Sequence, residues 1–259
     1  MRAKHLTPNG WKPCESTTRK CKYASATVSN TIQAQALDVK HPLISFYNSQ
    51  YERNASKWQQ EHLDAIHRFT GLGYLPIRRF LLNREEWDVK TRENFSPEEV
   101  EQKTNEMNKF VSLLDEATNK PHNIPAPVYR VILPENETSR TGEEWCKELN
   151  YVEGETVSFG TFSSTSVDPR IVNVYLRDED EEEQAIVFRI VSKTGAIVSK
   201  TSQTETVNYT QDSEREIILP RDKQYKVVKV SRNTVYMPRK DDENWLESSR
   251  PLTVDLIEI

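Results

Sequence analysis

The stretch Thr210-Gln211-Asp212-Ser213-Glu214-Arg215-Glu216-Ile217-Ile218-Leu219-Pro220 joins a polar loop to an apolar strand. The β-branched and apolar residues after Glu216 predict a strand that ends at Pro220, and the polar residues before it predict a loop. Glu214 and Glu216 are two residues apart, so in an extended chain both carboxylates point to the same face. Because like charges there repel, the pair indicates either a solvated edge or a site that needs negative charge.

Two motifs upstream favour a site. Arg130 is the single cation in the apolar run from Val128 to Leu133, and Ser164-Thr165-Ser166 follows the apolar Val157 and Phe159. An arginine, then Ser-Thr-Ser, then Glu-x-Glu, each on or beside a strand, resembles the R-S-E class of ADP-ribosyltransferases. This class includes the clostridial binary toxins and the vertebrate arginine-specific ectoenzymes.

Two further stretches extend the resemblance. Residues 69–77, Phe-Thr-Gly-Leu-Gly-Tyr-Leu-Pro-Ile, are similar to the family's helix signature Tyr-Thr-Gly-x-x-Tyr-x-x-Ile-Asn, with Arg78 in place of the final Asn. Residues 186–190 and 195–198 look like the family's paired central strands. The matches run in order from about residue 46 to residue 231, and this shared order makes the resemblance specific.

The pattern of elements predicts an α+β fold, with helices first and strands after. Apolar spacing indicates helices over residues 46–69 and 74–82 and after the Ser-Thr-Ser motif over 167–176, and capping signals at Ser96 and Thr141 begin two more. Strands are predicted at 185–192, 195–199, 216–220, 224–231 and 252–258. The resemblance implies a split two-sheet β-sandwich with NAD in the cleft, formed by residues 46–259. The composition of residues 1–45, which is basic over the first 22 positions, indicates an N-terminal extension with loops or partial disorder.

The resemblance also implies roles for the motif residues. Breaking the bond between ribose and nicotinamide leaves an oxocarbenium-like centre, which a fixed carboxylate stabilises. Glu216 would supply that carboxylate, Ser164 would hydrogen-bond the ribose and Glu216, and Arg130 would pair with the diphosphate. Glu214 would orient the acceptor, and a Glu at this position goes with arginine acceptors in the family. The remaining implied contacts are Thr165, Ser166, Tyr74, Tyr129 and Arg78 for NAD and Tyr209 for the acceptor.

Composition limits the alternatives. The chain has 259 residues with a net charge of −5, and no apolar run approaches the length of about 20 residues that spans a membrane. The N-terminus lacks the apolar core of a secretory signal, so we expect a cytoplasmic protein or one delivered by another route. Three cysteines indicate a reducing compartment rather than a disulfide framework. The N-terminal arm is either loosely ordered or folded around a zinc ion, for which the candidate ligands are His5, Cys14 and Cys21. We expect catalysis itself to need no metal.

The sequence therefore predicts a mono-ADP-ribosyltransferase that transfers ADP-ribose from NAD to an arginine of a target protein, as a toxin, effector or phage-type host modifier. Two enzymatic alternatives are transfer to nucleic acid, supported only by the basic first 22 residues, and NAD hydrolysis with water as acceptor. A pseudo-enzyme that only binds NAD is the non-enzymatic alternative, and the presence of Arg130, Ser164 and Glu216 argues against it. A toxic activity of this kind also implies an antitoxin or immunity partner.

Overall fold

The structure, a computed structural model, describes residues 4–7, 10–13, 31–33, 42–133, 141–169, 171–172, 176, 184–198, 215–239 and 242–259. Within these ranges most helices precede most strands, as the sequence predicts. The helices are α1 (Pro42–Ala55), α2 (Gln60–Arg68), α3 (Tyr74–Leu82), α4 (Arg84–Asn94), α5 (Pro97–Thr118) and α6 (Gly142–Glu148).

The single helical segment predicted over residues 46–69 is wrong in one respect, because two helices occupy it. α1 ends at Ala55, and a turn closes it in which the Lys57 and Trp58 amides donate to carbonyls only three residues back. Such i to i+3 bonds end an α-helix and reset its direction. The apolar spacing is continuous across the turn, so periodicity alone could not show the break.

Gly71 and Gly73 interrupt the next helix as the sequence predicts. Residues Phe69–Gly73 form a π-helical turn between α2 and α3, and Gly71 lies outside helical φ and ψ. A Cβ on Gly73 would lie 2.3 Å from the Arg68 carbonyl oxygen, so any side chain there would clash with backbone. α3 then begins at Tyr74 and ends at Leu82, matching the predicted range.

Both predicted helix starts are capping boxes. Ser96 Oγ accepts from the Glu99 amide while a Glu99 carboxylate oxygen accepts from the Ser96 amide, and Thr141 and Glu144 repeat the arrangement. Each box satisfies two amides that the first helical turn leaves without partners. The helix predicted over residues 167–176 is wrong at its start, because residues 167–169 form a bend and a turn after β6. Ile171 and Val172 are helical, and residues 170 and 173–175 lie outside the described part.

Eight of the described strands form one mixed sheet in the order β5-β10-β13-β7-β4-β6-β9-β8. They are β4 (Val128–Ile132), β5 (Thr156–Val157), β6 (Ser163–Ser166), β7 (Ile186–Val191), β8 (Ala196–Val198), β9 (Glu216–Leu219), β10 (Tyr225–Arg232) and β13 (Leu252–Glu258). The predicted strands agree with these bounds to within two residues. In the large sheet, β5 was not predicted. The other strands not predicted are β1 (Lys4–Thr7), β2 (Gly10–Pro13), β3 (Thr31–Gln33), β11 (Thr234–Arg239) and β12 (Asp242–Ser249), which form two small sheets.

The large sheet is split between β4 and β6. β4 pairs with β7 along its whole length, residues 128–132. Its pairing with β6, in contrast, consists of Tyr129 opposite Ser166. This weak seam divides the sheet into a five-stranded half and a three-stranded half (β6, β9 and β8), which corresponds to the predicted split. The α+β fold prediction is thus confirmed, with the two halves joined through this seam.

Side-chain alternation distributes the core over both faces of the sheet. On one face Val128, Phe188 and Val254 of the larger half share a buried cluster with Ile217 and Leu219 of the smaller half, and α1 adds Tyr47. On the other face of the smaller half, Ile218, Ala196 and Val198 pack against α2, α3 and α5. The N-terminal helices therefore stabilise the strand that begins at Glu216.

Candidate active site

Three of the motif side chains share one face of the smaller half-sheet. Ser166 lies directly opposite Glu216 in the β6–β9 ladder, and Ser164 lies opposite Ile218. Paired residues and residues two apart share a face, so Ser164 is a diagonal neighbour of Glu216. Ser164 is exposed and Glu216 is 5% exposed, so solvent reaches the serine while the carboxylate is largely desolvated.

Arg130 reaches across the seam of the sheet. It lies opposite Phe188 in β7, yet its Nη1 donates to the Ser164 carbonyl oxygen at 2.7 Å. The guanidinium thus bridges β4 and β6 beyond their short register, and the residue is half-buried. The structure brings Arg130 and Ser164 together at the seam, although the strand pairing directs the two side chains to opposite faces.

Thr165 and Ser166 fasten the strand that carries Ser164. Thr165 Oγ1 donates to the Ile217 carbonyl oxygen at 2.6 Å, and this bond ties β6 to β9. Ser166 Oγ accepts from the Asp168 amide at 2.9 Å and holds the turn that follows β6. Both hydroxyls therefore contribute to the local backbone geometry next to Glu216.

Tyr47 is a site-adjacent residue that sequence reasoning missed. Its hydroxyl, on α1, lies 2.8 Å from the Glu216 carbonyl oxygen, to which it can donate, and it also contacts the Val198 carbonyl oxygen. Burial, together with the negative charge of Glu216, raises the pKa of Tyr47 well above its usual value, so the phenol stays protonated and remains a donor. No signal in the sequence links Tyr47 to a strand 169 residues away.

Arg215 and Asp168 form a second contact that the sequence did not predict. Arg215 Nη1 donates to Asp168 Oδ2 at 2.8 Å, with the two side chains 7% and 1% exposed. Arg215 also has φ of 40°, in the left-handed region that side-chain-bearing residues rarely adopt. The extended alternation expected from Glu214 to Glu216 therefore does not continue through Arg215, and the strand begins at Glu216.

The other predicted NAD contacts lie on different elements. Tyr74 is 45% exposed at the start of α3, and Arg78 is exposed one turn later on the same face. Tyr129 lies opposite both Ser166 and Arg189, and burial raises the pKa of its phenol. A role for these three residues in binding NAD stays a prediction.

Several predicted residues fall outside the described part. Glu214, Tyr209, Cys14 and Cys21 lie in ranges that the structure does not describe, and the side chain of His5 is not described. Among the described residues there is no group of three His, Cys, Asp or Glu side chains that could hold a metal ion. None of the described helices is both long enough and apolar enough to cross a membrane.

Comparison with known proteins agrees with the motif analysis. Residues 44–248 match the family model of the ADP-ribosyltransferase exoenzymes. This match covers more than half of the chain, so the chain belongs to the ADP-ribosyltransferase exoenzyme family, and the resemblance to the R-S-E class is confirmed. The assignment supports an NAD-dependent transferase. A comparison with curated proteins finds no significant match.

Solved structures of toxins share the fold. The enzymatic component C2-I of the Clostridium botulinum C2 toxin is 18% identical with a TM-score of 0.51, over 83% of this chain and 46% of that one. BECa of a Clostridium perfringens binary enterotoxin, solved with NADH, is 18% identical with a TM-score of 0.54, over 87% and 50%. The Vis toxin of Vibrio splendidus is 13% identical with a TM-score of 0.52, over 84% and 82%. The chain thus spans about half the length of the two clostridial proteins.

Proposed function

We propose that this protein is a mono-ADP-ribosyltransferase that transfers ADP-ribose from NAD to the guanidino group of an arginine on a target protein. The observation that carries the proposal is the adjacency of Arg130, Ser164 and Glu216 in one sheet: Arg130 Nη1 donates to the Ser164 carbonyl oxygen, and Ser164 is the diagonal neighbour of Glu216. A cation for the diphosphate and a desolvated carboxylate for the developing positive charge are the two groups that the reaction requires.

The roles of the residues follow from charge and exposure. Arg130 is half-buried, which strengthens its pairing with phosphate oxygens by lowering the local dielectric. The Tyr47 hydroxyl lies 2.8 Å from the Glu216 carbonyl oxygen and so holds the backbone of the strand that carries the carboxylate. As the ribose–nicotinamide bond breaks, its electron pair leaves with nicotinamide and the ribose carbon becomes cationic beside Glu216.

Transfer is complete when an acceptor nitrogen forms the new bond to the ribose carbon. A guanidinium must release a proton as it attacks, and a carboxylate can receive it. We assign this role to Glu214, which lies next to Arg215 in the chain. One relative of similar fold, Vis, has been solved in complex with agmatine, a guanidino compound, and this supports an arginine-like acceptor here.

The rival acceptors make different predictions. Water as acceptor would make the protein an NAD glycohydrolase, for which Glu214 would be dispensable. A nucleic-acid acceptor would give the basic residues in the first 22 positions a role, and transfer would then fall steeply with salt. The arginine proposal is favoured over both by the Glu at position 214 and by the agmatine complex of a protein with a similar fold.

The decisive experiment uses purified protein, NAD labelled in its ADP-ribose part, and a cell lysate divided into nuclease-treated and protease-treated halves. We expect label that survives nuclease, is lost with protease and is released by hydroxylamine, as an arginine adduct requires. Label lost only with nuclease would show that the acceptor is a nucleic acid. Free ADP-ribose without labelled polymer would indicate a glycohydrolase, and no NAD turnover would overturn the enzyme assignment.

A matched pair of variants separates the two glutamates. Glu214→Gln should remove transfer to agmatine yet preserve slow NAD hydrolysis, because it leaves the carboxylate that stabilises the cation. Glu216→Gln should remove both activities. Equal loss of both activities in Glu214→Gln would show that Glu214 does not act on the acceptor.

A further inference from the structure

We infer that Arg215, the residue between the two glutamates, is a positioning residue whose ion pair with Asp168 fixes the entry of the chain into β9. The inference deepens the proposed function and rests on it, because it concerns the geometry of the same site. Arg215 is not expected to touch NAD or acceptor, since its side chain is 7% exposed and directed to Asp168.

The backbone at Arg215 is held in an unfavourable conformation. Its φ of 40° lies in the left-handed region, which is unfavourable for a residue with a Cβ. Such a conformation persists only where neighbouring contacts determine it. The sequence around it is Glu-Arg-Glu, without the glycine that would adopt this conformation freely.

Two contacts to the segment after β6 hold Arg215 in this backbone conformation. The Val167 amide donates to the Arg215 carbonyl oxygen at 3.2 Å, and the Arg215 guanidinium donates to Asp168 at 2.8 Å. Val167 and Asp168 directly follow Ser166, which lies opposite Glu216. Arg215 is therefore attached through both its backbone and its side chain to the strand that carries the Ser-Thr-Ser motif.

The burial of the ion pair makes the attachment strong and specific. Asp168 is 1% exposed and Arg215 is 7% exposed, so the pair forms where water competes little for either charge. Asp168 is itself fixed, because its amide donates to Ser166 Oγ. Asp168, Ser166 and Arg215 thus form one unit around the start of β9.

A second arginine–aspartate pair, at the other end of β9, offers a control. Arg221 follows the end of the strand and donates to both carboxylate oxygens of Asp115 on α5, with the side chains 35% and 27% exposed. This pair holds the same strand to a helix and lies at the end remote from Glu216. Arg221→Lys therefore tests the cost of weakening an arginine pair on β9 without moving the glutamates.

If the ion pair of Arg215 is lost, we expect the position of the Glu214 carboxylate relative to the Glu216 carboxylate to change. Arg215 is covalently adjacent to both glutamates, and its left-handed backbone determines how the chain enters β9 at Glu216. Displacement by about 1 Å at a reacting centre can cost as much as 100-fold in rate. Transfer requires both carboxylates, whereas hydrolysis requires Glu216, so we expect transfer to suffer more.

The test measures the ratio of ADP-ribosyl-agmatine to free ADP-ribose formed by the full-length protein with NAD and agmatine. This ratio is independent of the fraction of folded enzyme, so a purely structural role would leave it unchanged. We expect Arg215→Gly, which tolerates the left-handed backbone but removes the tether, to lower the ratio by at least about fivefold. Asp168→Asn should lower it in the same direction, and Arg215→Lys should restore most of it because the charge is kept.

The controls decide between the possible failures. Arg221→Lys should leave the ratio within about twofold of wild type while lowering stability slightly. If Arg215→Gly does not fold, Asp168→Asn carries the test. A ratio unchanged in Asp168→Asn and in any folded Arg215→Gly would overturn the inference while leaving the proposed function intact. Absence of NAD turnover by the wild type would overturn the proposed function, and the inference with it.

Discussion

The two ends of strand β9 are built from different physical interactions. At its start, Glu216 and the neighbouring Arg215–Asp168 pair are buried polar groups, and Arg215 has a left-handed backbone. At its end, Leu219 is fully buried in the apolar core. The start of the strand concentrates charge and unfavourable backbone geometry where chemistry is expected, while the end supplies the stability that makes this tolerable.

Function and stability are separated within the four residues of β9. Buried charges contribute little net stability, and their value lies in fixing geometry. Buried aliphatic side chains contribute stability in proportion to the area removed from water and impose little direction. Substitutions at the two ends should therefore affect different measurements.

The largest expected effect is on activity at the start of the strand. Glu216→Gln should lower kcat for NAD turnover by about 100- to 1000-fold, because removing one electrostatic contact to a transition state costs about 3–4 kcal/mol. Thermal unfolding should change little, since the amide keeps the shape of the side chain. Turnover within about threefold of wild type would show that Glu216 is not the central carboxylate.

The opposite result is expected at the end of the strand. Leu219→Ala should lower the free energy of unfolding by about 2–5 kcal/mol, because it removes a buried side chain and leaves a cavity. Activity per folded molecule should be preserved, since Leu219 faces the interior cluster. Urea unfolding together with turnover corrected for folded protein checks this, and a loss of activity in the folded fraction would break the separation of the two ends.

The free energy of unfolding should depend on pH through His122, a buried histidine in the segment before β4. Burial lowers the pKa of His122, which is 5% exposed, to about 4 from 6.5, and its Nε2 lies 2.9 Å from Ser192 Oγ. Between these values the unfolded chain binds a proton that the folded chain does not. Stability is therefore fully present above pH 6.5 and is lost as the pH falls toward 4, by about 3 kcal/mol in total.

The variant His122→Gln isolates this contribution, because it keeps a polar side chain but cannot titrate. The difference in unfolding free energy between wild type and variant should shrink or reverse as the pH is lowered from 7 to 4.5, measured by urea unfolding. Carboxylates that titrate in both proteins cancel in this difference. A difference that is constant with pH would show that His122 is not buried in its neutral form.

The smallest effect is expected at Tyr47, which contacts the start of the strand. Tyr47→Phe removes the hydroxyl next to the Glu216 carbonyl and should cost about 1 kcal/mol of stability, with a further loss of kcat of about three- to tenfold. Tyr225→Phe is a matched control, since Tyr225 belongs to the same buried cluster. Equal kcat in the two variants would assign Tyr47 a structural role alone.

Much of the fold could be predicted because its signals are local. The capping boxes at Ser96 and Thr141 and the strand from Glu216 follow from residues within a few positions of each other. The order of the Arg130, Ser164 and Glu216 motifs also indicated the family. The break between α1 and α2 escaped prediction because the apolar spacing continues across the turn and only backbone hydrogen bonding reveals it.

The sequence by itself determined the family, the order of helices and strands, and the residue types that meet at the seam, since these depend on short-range patterns. Only the tertiary structure decided that Tyr47 contacts Glu216, that Asp168 pairs with Arg215, and that Arg215 is left-handed. These contacts join residues far apart in the chain, and their free energy depends on burial, which no local pattern encodes. A strained backbone likewise exists only where distant packing holds it in place.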